Sequence, residues 1–157
     1  MTGKVYEMKV STRVEFGIIA LADIAIYSEN GGTVSSADIA ARQNISQKYL
    51  EQIITALRQG GFVKGQKGSR GGYYLSRPAD KIYLSDILNA LDNNILADVY
   101  ETYDIQEDGV LRSSVNICLW DKMNSYLRRF TEQMTLADLI DECRMYSDRK
   151  SSFMYNI

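Results

Sequence analysis

The sequence predicts a mainly α-helical chain with one small β-hairpin and a long helix toward the C-terminus. Three observations predict it. Apolar residues recur at helical spacing through most of the 157 positions, the pattern of helices that each bury one face. A single Gly-rich stretch, residues 60–78, holds short β-prone runs separated by turn residues. Residues 111–130 carry an apolar stripe at i, i+4 and i+7 spacing over about five helical turns. With 45% apolar residues the chain has enough material for a core.

The first helix is read over residues 11–28, where Val14, Ile18, Leu21, Ala22 and Ala25 form the stripe and Phe16, Ile19, Ile24 and Ile26 broaden it. Asn30-Gly31-Gly32 punctuates it. Ser35-Ser36-Ala37-Asp38 reads as a capping box, Ser35 accepting from an early amide and Asp38 returning the bond, and opens a short helix through Arg42. A three-residue turn, Asn44-Ile45-Ser46, follows, and Ser46 caps a third helix with the stripe Tyr49, Leu50, Ile53, Ile54 and Leu57. Gly60-Gly61 supplies its left-handed C-terminal stop. Helix, tight turn, helix is a DNA-reading arrangement.

Phe62-Val63 is the first strand of the hairpin, Gly68-Ser69-Arg70-Gly71-Gly72 its tip, and Tyr73-Tyr74-Leu75 the returning strand, ended by Pro78. Gly-rich tips are common for conformational reasons alone, but Lys67 and Arg70 beside these glycines suit backbone approach to a phosphate or a minor groove. A nucleotide phosphate loop is excluded, because no Lys-Ser/Thr follows the glycines and no strand-to-helix context surrounds them. Residues 84–88 open another helix that Ser85 can cap, closed by Asp92-Asn93-Asn94. Residues 95–109 are acidic and weakly periodic, and read as a loop or mobile lid. In the long helix the stripe is Leu111, Val115, Leu119, Met123, Tyr126, Leu127 and Phe130. Part of it can pack on helix one; as DNA readers of this kind usually meet two half-sites as twofold dimers, it is assigned to dimerisation. Thr135-Leu136-Ala137-Asp138 starts a terminal helix through Cys143, and residues 147–152 read as a polar tail.

Charge supports the DNA reading. Between positions 42 and 77 stand seven basic residues, Arg42, Lys48, Arg58, Lys64, Lys67, Arg70 and Arg77, against one acidic residue, Glu51. A solvated charged face would carry the same residues, but a polyanion is their natural partner in a helix-and-hairpin setting. The formal net charge of −2 hides a first half (residues 1–79) at +4 and a second (80–157) at −6.

Other classes are excluded or disfavoured. The chain has no histidine, which removes Ser-His and Cys-His catalysis, so no enzyme is expected. Its two cysteines, Cys118 and Cys143, are too few for a disulfide framework or a Cys-x-x-Cys metal site, and are expected to be buried apolar residues rather than redox sensors. No apolar run approaches the roughly 18 residues of a membrane span, and no signal pattern begins the chain. A cytoplasmic location is expected.

At MKVSTRVEFGIIALADIA from Met8, KYLEQIITALRQGGFVKGQKGSRGGYYLSRP from Lys48, YLSDILNAL from Tyr83 and TLADLI from Thr135, the chain resembles the Rrf-two family of winged helix-turn-helix regulators. The likeness spans residues 8–140 and leaves out 1–7. It implies that the long C-terminal helix crosses its twin in a homodimer. Carried over by position, Lys48, Glu51 and Gln52 resemble the residues that face the major groove in the iron-sulfur regulator branch. Lys67 matches that branch's wing arginine, keeping the charge but losing the planar fork. Lys9, Ser11, Thr12, Arg13, Arg58 and Arg70 resemble phosphate contacts, and Ser46, Gln47 and Ser69 complete the DNA-binding set. Tyr49 and Leu50 are assigned to the core.

Many members of that family hold a cluster with three cysteines ahead of the dimer helix. Here residues 91–117 contain none, and alignment on Trp120 puts Ser114 at the third ligand position. No cofactor or metal is therefore expected. The tail, Ser152-Phe153-Met154-Tyr155-Asn156-Ile157, resembles that of the cluster-free cysteine-metabolism repressor branch. Its Asn-Ile end is similar to the tail of serine acetyltransferase that enters cysteine synthase. The resemblance implies an enzyme- or effector-sensing alternative in which cysteine synthase grips Tyr155, Asn156 and Ile157; a frayed terminus is the other reading. The expected organisation is a winged helix-turn-helix DNA-binding domain (8–79), a connecting helix and acidic loop (80–110), a dimerisation helix and terminal helix (111–146), and a tail (147–157). The expected output is repression at a near-palindromic operator on double-stranded DNA.

Overall fold

The computed structural model describes residues 10–96 and 109–155. Lys9, most of the acidic loop and the last two tail residues, Asn156 and Ile157, lie outside them.

Helix α1 (Thr12–Tyr27) starts where Ser11 Oγ accepts the Val14 amide at 3.4 Å. Its inner face buries Val14, Leu21 and Ile24. Gly17 permits the close approach of α4, since a Cβ there would collide with the Leu91 side chain. Helix α2 (Ser36–Gln43) is capped by Ser35, whose Oγ accepts from Asp38 N at 3.0 Å. The Ser35 hydroxyl in turn donates to Asp38 Oδ2, at 2.7 Å. The turn to α3 (Gln47–Gln59) places Asn44 at φ 53, a left-handed conformation that asparagine tolerates, and buries Ile45 beneath it.

Helix α3 divides cleanly. Leu50, Ile53, Ile54 and Leu57 are buried, each worth about 1.5–3 kcal/mol relative to exposure. The stop after α3 differs in detail from expectation: Gly60 keeps a right-handed helical backbone and only Gly61, at φ 76, is left-handed. Gly61 N then reaches Arg58 O and Phe62 N reaches Leu57 O, both at 3.0 Å, closing the last turn and burying Phe62.

Strands β1 (Val63–Gln66) and β2 (Gly72–Leu75) pair antiparallel, with Val63 opposite Leu75 and Gln66 opposite Gly72. A third segment joins them. Val34 and Tyr73 exchange backbone bonds of 2.9 and 2.8 Å, and a Cβ at Gly72 would come within 2.7 Å of the Val34 carbonyl oxygen.

Helix α4 (Leu84–Leu91) corrects one expectation. Ser85 does not cap it; the residue is buried inside the first turn, and Tyr83 occupies the cap position without a side-chain bond. The start is held instead by a backbone stitch to the far end of the chain, Leu84 N to Met134 O at 2.9 Å and Leu136 N to Ile82 O at 2.8 Å. The long helix is continuous but not uniform: α5 (Val110–Val115), a π-helical turn (Asn116–Trp120) and α6 (Asp121–Gln133).

Helix α7 (Leu136–Tyr155) opens on a full capping box. Thr135 donates N–H and O–H to Asp138 Oδ2 at 2.9 and 2.8 Å and accepts the Asp138 amide at 3.1 Å. The backbone bond first, then the hydroxyl, holds the Asp138 carboxyl below its ordinary range. The box therefore contributes above the unfolded carboxylate's pKa and is lost as pH falls through the folded one. Leu136 and Ile140 join the core, but α7 runs well past Cys143, through the stretch expected to be a polar tail. No Gly or Pro interrupts it. Lys150 lies 5.9 Å from the Tyr146 ring at i+4 spacing, the kind of pair that supports an exposed helix.

Candidate nucleic-acid interface

The polar face of α3 is the centre of the site. Gln47, Lys48, Glu51, Gln52, Thr55 and Arg58 are all exposed, opposite the buried stripe. Ser46 Oγ accepts the Tyr49 amide at 3.2 Å and fixes the start of α3. Gln47 Nε2 donates to Glu51 Oε1 at 3.3 Å, so two predicted contact residues are already oriented together. Thr55, which sequence reasoning passed over, belongs to the same face and donates its hydroxyl to Glu51 O at 2.8 Å. Tyr49 is only half-buried and meets Phe16 edge to face, with ring centroids 6.1 Å apart, while Leu50 is fully buried.

The wing flanks this helix. One groove is lined by Thr55, Arg58, Gln59, Lys64 and Tyr74, and a second by Ser35, Ser36, Arg58, Gln66, Lys67 and Tyr73. Arg58 borders both, which places it between α3 and the hairpin. Lys67, Ser69 and Arg70 are exposed at the tip. Thr33 donates its hydroxyl to Arg70 O at 2.9 Å and, with the Val34–Tyr73 bridge, anchors that tip to the body. Two β-branched residues after the Gly31-Gly32 break were the only sequence signal for this anchor. At the start of α1, Ser11, Thr12 and Arg13 are exposed.

Two of the seven basic residues are held by partners within the chain. Arg42 grips the buried Asp23 with Nε to Oδ2 at 3.0 Å and Nη2 to Oδ1 at 2.7 Å, and stacks 4.0 Å from the Tyr27 ring centroid. Gln43 adds a third bond to Asp23 at 2.7 Å. The hydrogen bond to Asp23 raises the Arg42 pKa further. Arg77 lies over Phe62 at 5.1 Å and donates to Gly61 O and Lys81 O, each at 3.1 Å. The outward field comes from Arg13, Lys48, Arg58, Lys64, Lys67 and Arg70.

The long helix is inverted in polarity. Ser113, Asn116, Asp121 and Thr131 are buried. Leu111, Val115, Leu119, Met123, Tyr126 and Phe130 are exposed, Leu111 by 79% and Tyr126 by 70%; Leu127 alone of the predicted stripe is half-buried. Cys118 and Cys143 contradict the expectation of burial. Both are exposed free thiols, Cys118 on the π turn and Cys143 on α7, next to Arg144, whose Nη2 reaches Glu29 Oε1 at 3.1 Å. Among the described residues no three or more Cys, Asp or Glu side chains gather as metal ligands, and no helix is long and apolar enough to cross a membrane.

Residues 10–142 match the family model Rrf2, described as an iron-dependent transcriptional regulator. The chain is 36% identical over 137 residues to the HTH-type transcriptional regulator IscR of Cereibacter sphaeroides, covering 85% of this chain and 87% of that protein. Among solved structures it is similar to CymR, the global cysteine regulator of B. subtilis, with TM-score 0.72 and 29% identity over 87% of this chain and 98% of that one. T. potens IscR is similar at TM-score 0.68 and 33% identity, over 87% and 88% of the two chains. With its helix-turn-helix, its hairpin wing and this agreement over most of its length, the chain belongs to the Rrf2 family and is a DNA-binding transcription regulator rather than an enzyme.

Proposed function

We propose that the protein is a homodimeric repressor that reads a near-palindromic operator through α3 and its wing and needs no iron-sulfur cluster. The inverted long helix carries this reading. An apolar stripe facing solvent over α5 and α6, above a polar inner face, is costly for a monomer and suits a second copy of itself. Two reading heads joined in this way meet half-sites about one helical turn, roughly 34 Å, apart. Repression follows most simply, because a dimer seated on a promoter excludes polymerase without any further contact. The donor inventory supports independence from a cluster: two exposed cysteines on separate helices and no histidine do not fit a three-thiolate site.

The division of labour on DNA is testable by substitution. Glu51→Ala or Gln52→Ala is expected to relax base preference by about 1–3 kcal/mol without affecting the fold, since both side chains are solvent-facing. Arg70→Ala should weaken all sequences evenly and flatten the salt dependence, as for a phosphate or groove-width contact. Binding titrations on operator and random duplex at several salt concentrations separate the two; equal loss of specificity in both variants refutes the assignment.

A second reading has its own support. Helix α7 carries the chain outward to Tyr155, and the likeness to CymR favours a role in sulfur metabolism. In this reading cysteine synthase binds the Tyr155-Asn156-Ile157 segment, whose apolar side chains suit a pocket. Deleting the three residues should abolish a complex with that enzyme and leave the dimer intact; unchanged binding by the truncated protein removes this reading.

A further inference from the structure

Strand β1 contains a glycine for which the protein itself shows no need. Gly65 is exposed, its backbone is not left-handed, and a Cβ there would meet nothing nearer than the Tyr73 ring, at 3.6 Å. A glycine inside a strand weakens it, and often marks a place where another backbone comes close. Val63, two residues back and on the same side of the strand, is buried against the body. Gly65 leaves that side empty further out. It also borders both grooves that flank the wing, as Arg58 does from α3. The two grooves therefore meet as one trough along β1, from Lys64 to Lys67, with α3 and the start of α2 as the opposite wall.

The trough has the chemistry of an anion site. Arg58, Lys64 and Lys67 line it and no described carboxylate does, and none of these three cations has an ion-pair partner among the described residues. An amide is available as well. Tyr73 exchanges both of its backbone bonds with Val34, so across the hairpin Gly65 belongs to a pair without mutual hydrogen bonds. Its N–H and C=O accordingly point off the edge of β1, where no other described strand pairs. Basic side chains and backbone amides are the groups that hold the phosphates of a duplex.

With α3 in a major groove and the wing tip in the adjacent minor groove, the sugar–phosphate strand that separates the two grooves has to pass between helix and wing. We infer that this strand lies in the trough, with position 65 bare so that a phosphate can reach the Gly65 amide, and with Lys64 as a phosphate contact beside Arg58 and Lys67. Neither Lys64 nor Gly65 stands among the DNA contacts expected from the sequence. This placement rests on α3 and the wing forming the reading head.

The full-length protein is titrated at several salt concentrations on the promoter duplex that it footprints. The same duplex is also used with single phosphates, between the half-site and the neighbouring minor groove, replaced by neutral methylphosphonates. Gly65→Val should weaken binding by about tenfold or more, because its branched side chain fills the trough and costs a charge-assisted contact. Its melting temperature should hold or rise, since valine suits a strand. Gly65→Ala should fall between. Lys64→Met, at an exposed position, should lower the slope of log affinity against log salt by about 0.9, the share of one phosphate. One methylphosphonate that weakens the unaltered protein should then have no further effect on Lys64→Met. Full affinity in a folded Gly65→Val, or an unchanged salt slope and phosphate pattern in Lys64→Met, overturns the placement. Gln52→Ala and Arg70→Ala separate this failure from that of the reading head: if they lose affinity while the trough variants do not, the trough alone is wrong, and if all four bind fully, the head is wrong.

Discussion

Replacing Met123 and Phe130 together by Asp is expected to turn the protein into a monomer and to weaken operator binding by about 10²- to 10⁴-fold, the gain that linkage of two reading heads supplies. Both side chains face solvent, 53% and 58% accessible, so the substitution removes no core packing within one chain. It instead places like charges on both sides of a twofold seam, two from each copy. Sedimentation or light scattering reads the mass, and circular dichroism checks that helix content is retained. A charged double variant that still sediments as a dimer would move the interface away from α5 and α6.

Arg42→Met is expected to be the most destabilising single change in the DNA-reading half. The Asp23 side chain is fully buried, and removing the guanidinium leaves it with Gln43 alone. Asp23 is buried while Arg42 stays at the surface, so the loss falls below the roughly 3–5 kcal/mol of a fully buried pair but remains a sizeable share of the roughly 5–15 kcal/mol that holds a domain folded. DNA binding should fail with it, because this pair ties α1 to α2 and so sets the angle at which α3 is presented. Adding Asp23→Asn to Arg42→Met should recover part of the stability, since the stranded charge is then gone. Urea titration of the three variants tests the sign and order. Loss of DNA affinity with unchanged stability would instead make Arg42 a DNA contact.

That outcome bears on what could be read before folding. Helices α1 to α3 and the wing were legible because their signals are local: Ser11 and Ser46 as caps, the Leu50–Leu57 stripe, and the glycines at the hairpin. The uses of Arg42 and Arg77 were not, since each depends on a partner that only tertiary structure brings near: Asp23, nineteen positions back, and the Phe62 ring. The bridge from Val34 to Tyr73 is hidden for the same reason. In the long helix the apolar stripe was evident, but periodicity cannot tell an inward stripe from an outward one. It also cannot reveal a π turn, which shifts Asp121 to the inner face without changing residue type. Helix α7 is longer than its sequence suggests because a polar run reads as a tail, although i, i+4 partners can sustain a helix. Both cysteines are exposed, since the usual burial of the residue type says little about a position on an unpartnered surface.

The central claim is that two copies, joined through the long helix, place α3 and the wing on two half-sites at a fixed spacing. The most direct measurement uses a promoter duplex footprinted by the protein, compared with the same duplex carrying a half-turn insertion of about 5 bp between the half-sites. The account predicts two protomers on the original duplex, steep weakening with salt, and collapse of affinity on the insertion toward that of a single half-site. One protomer per operator, or equal affinity for both duplexes, would contradict it.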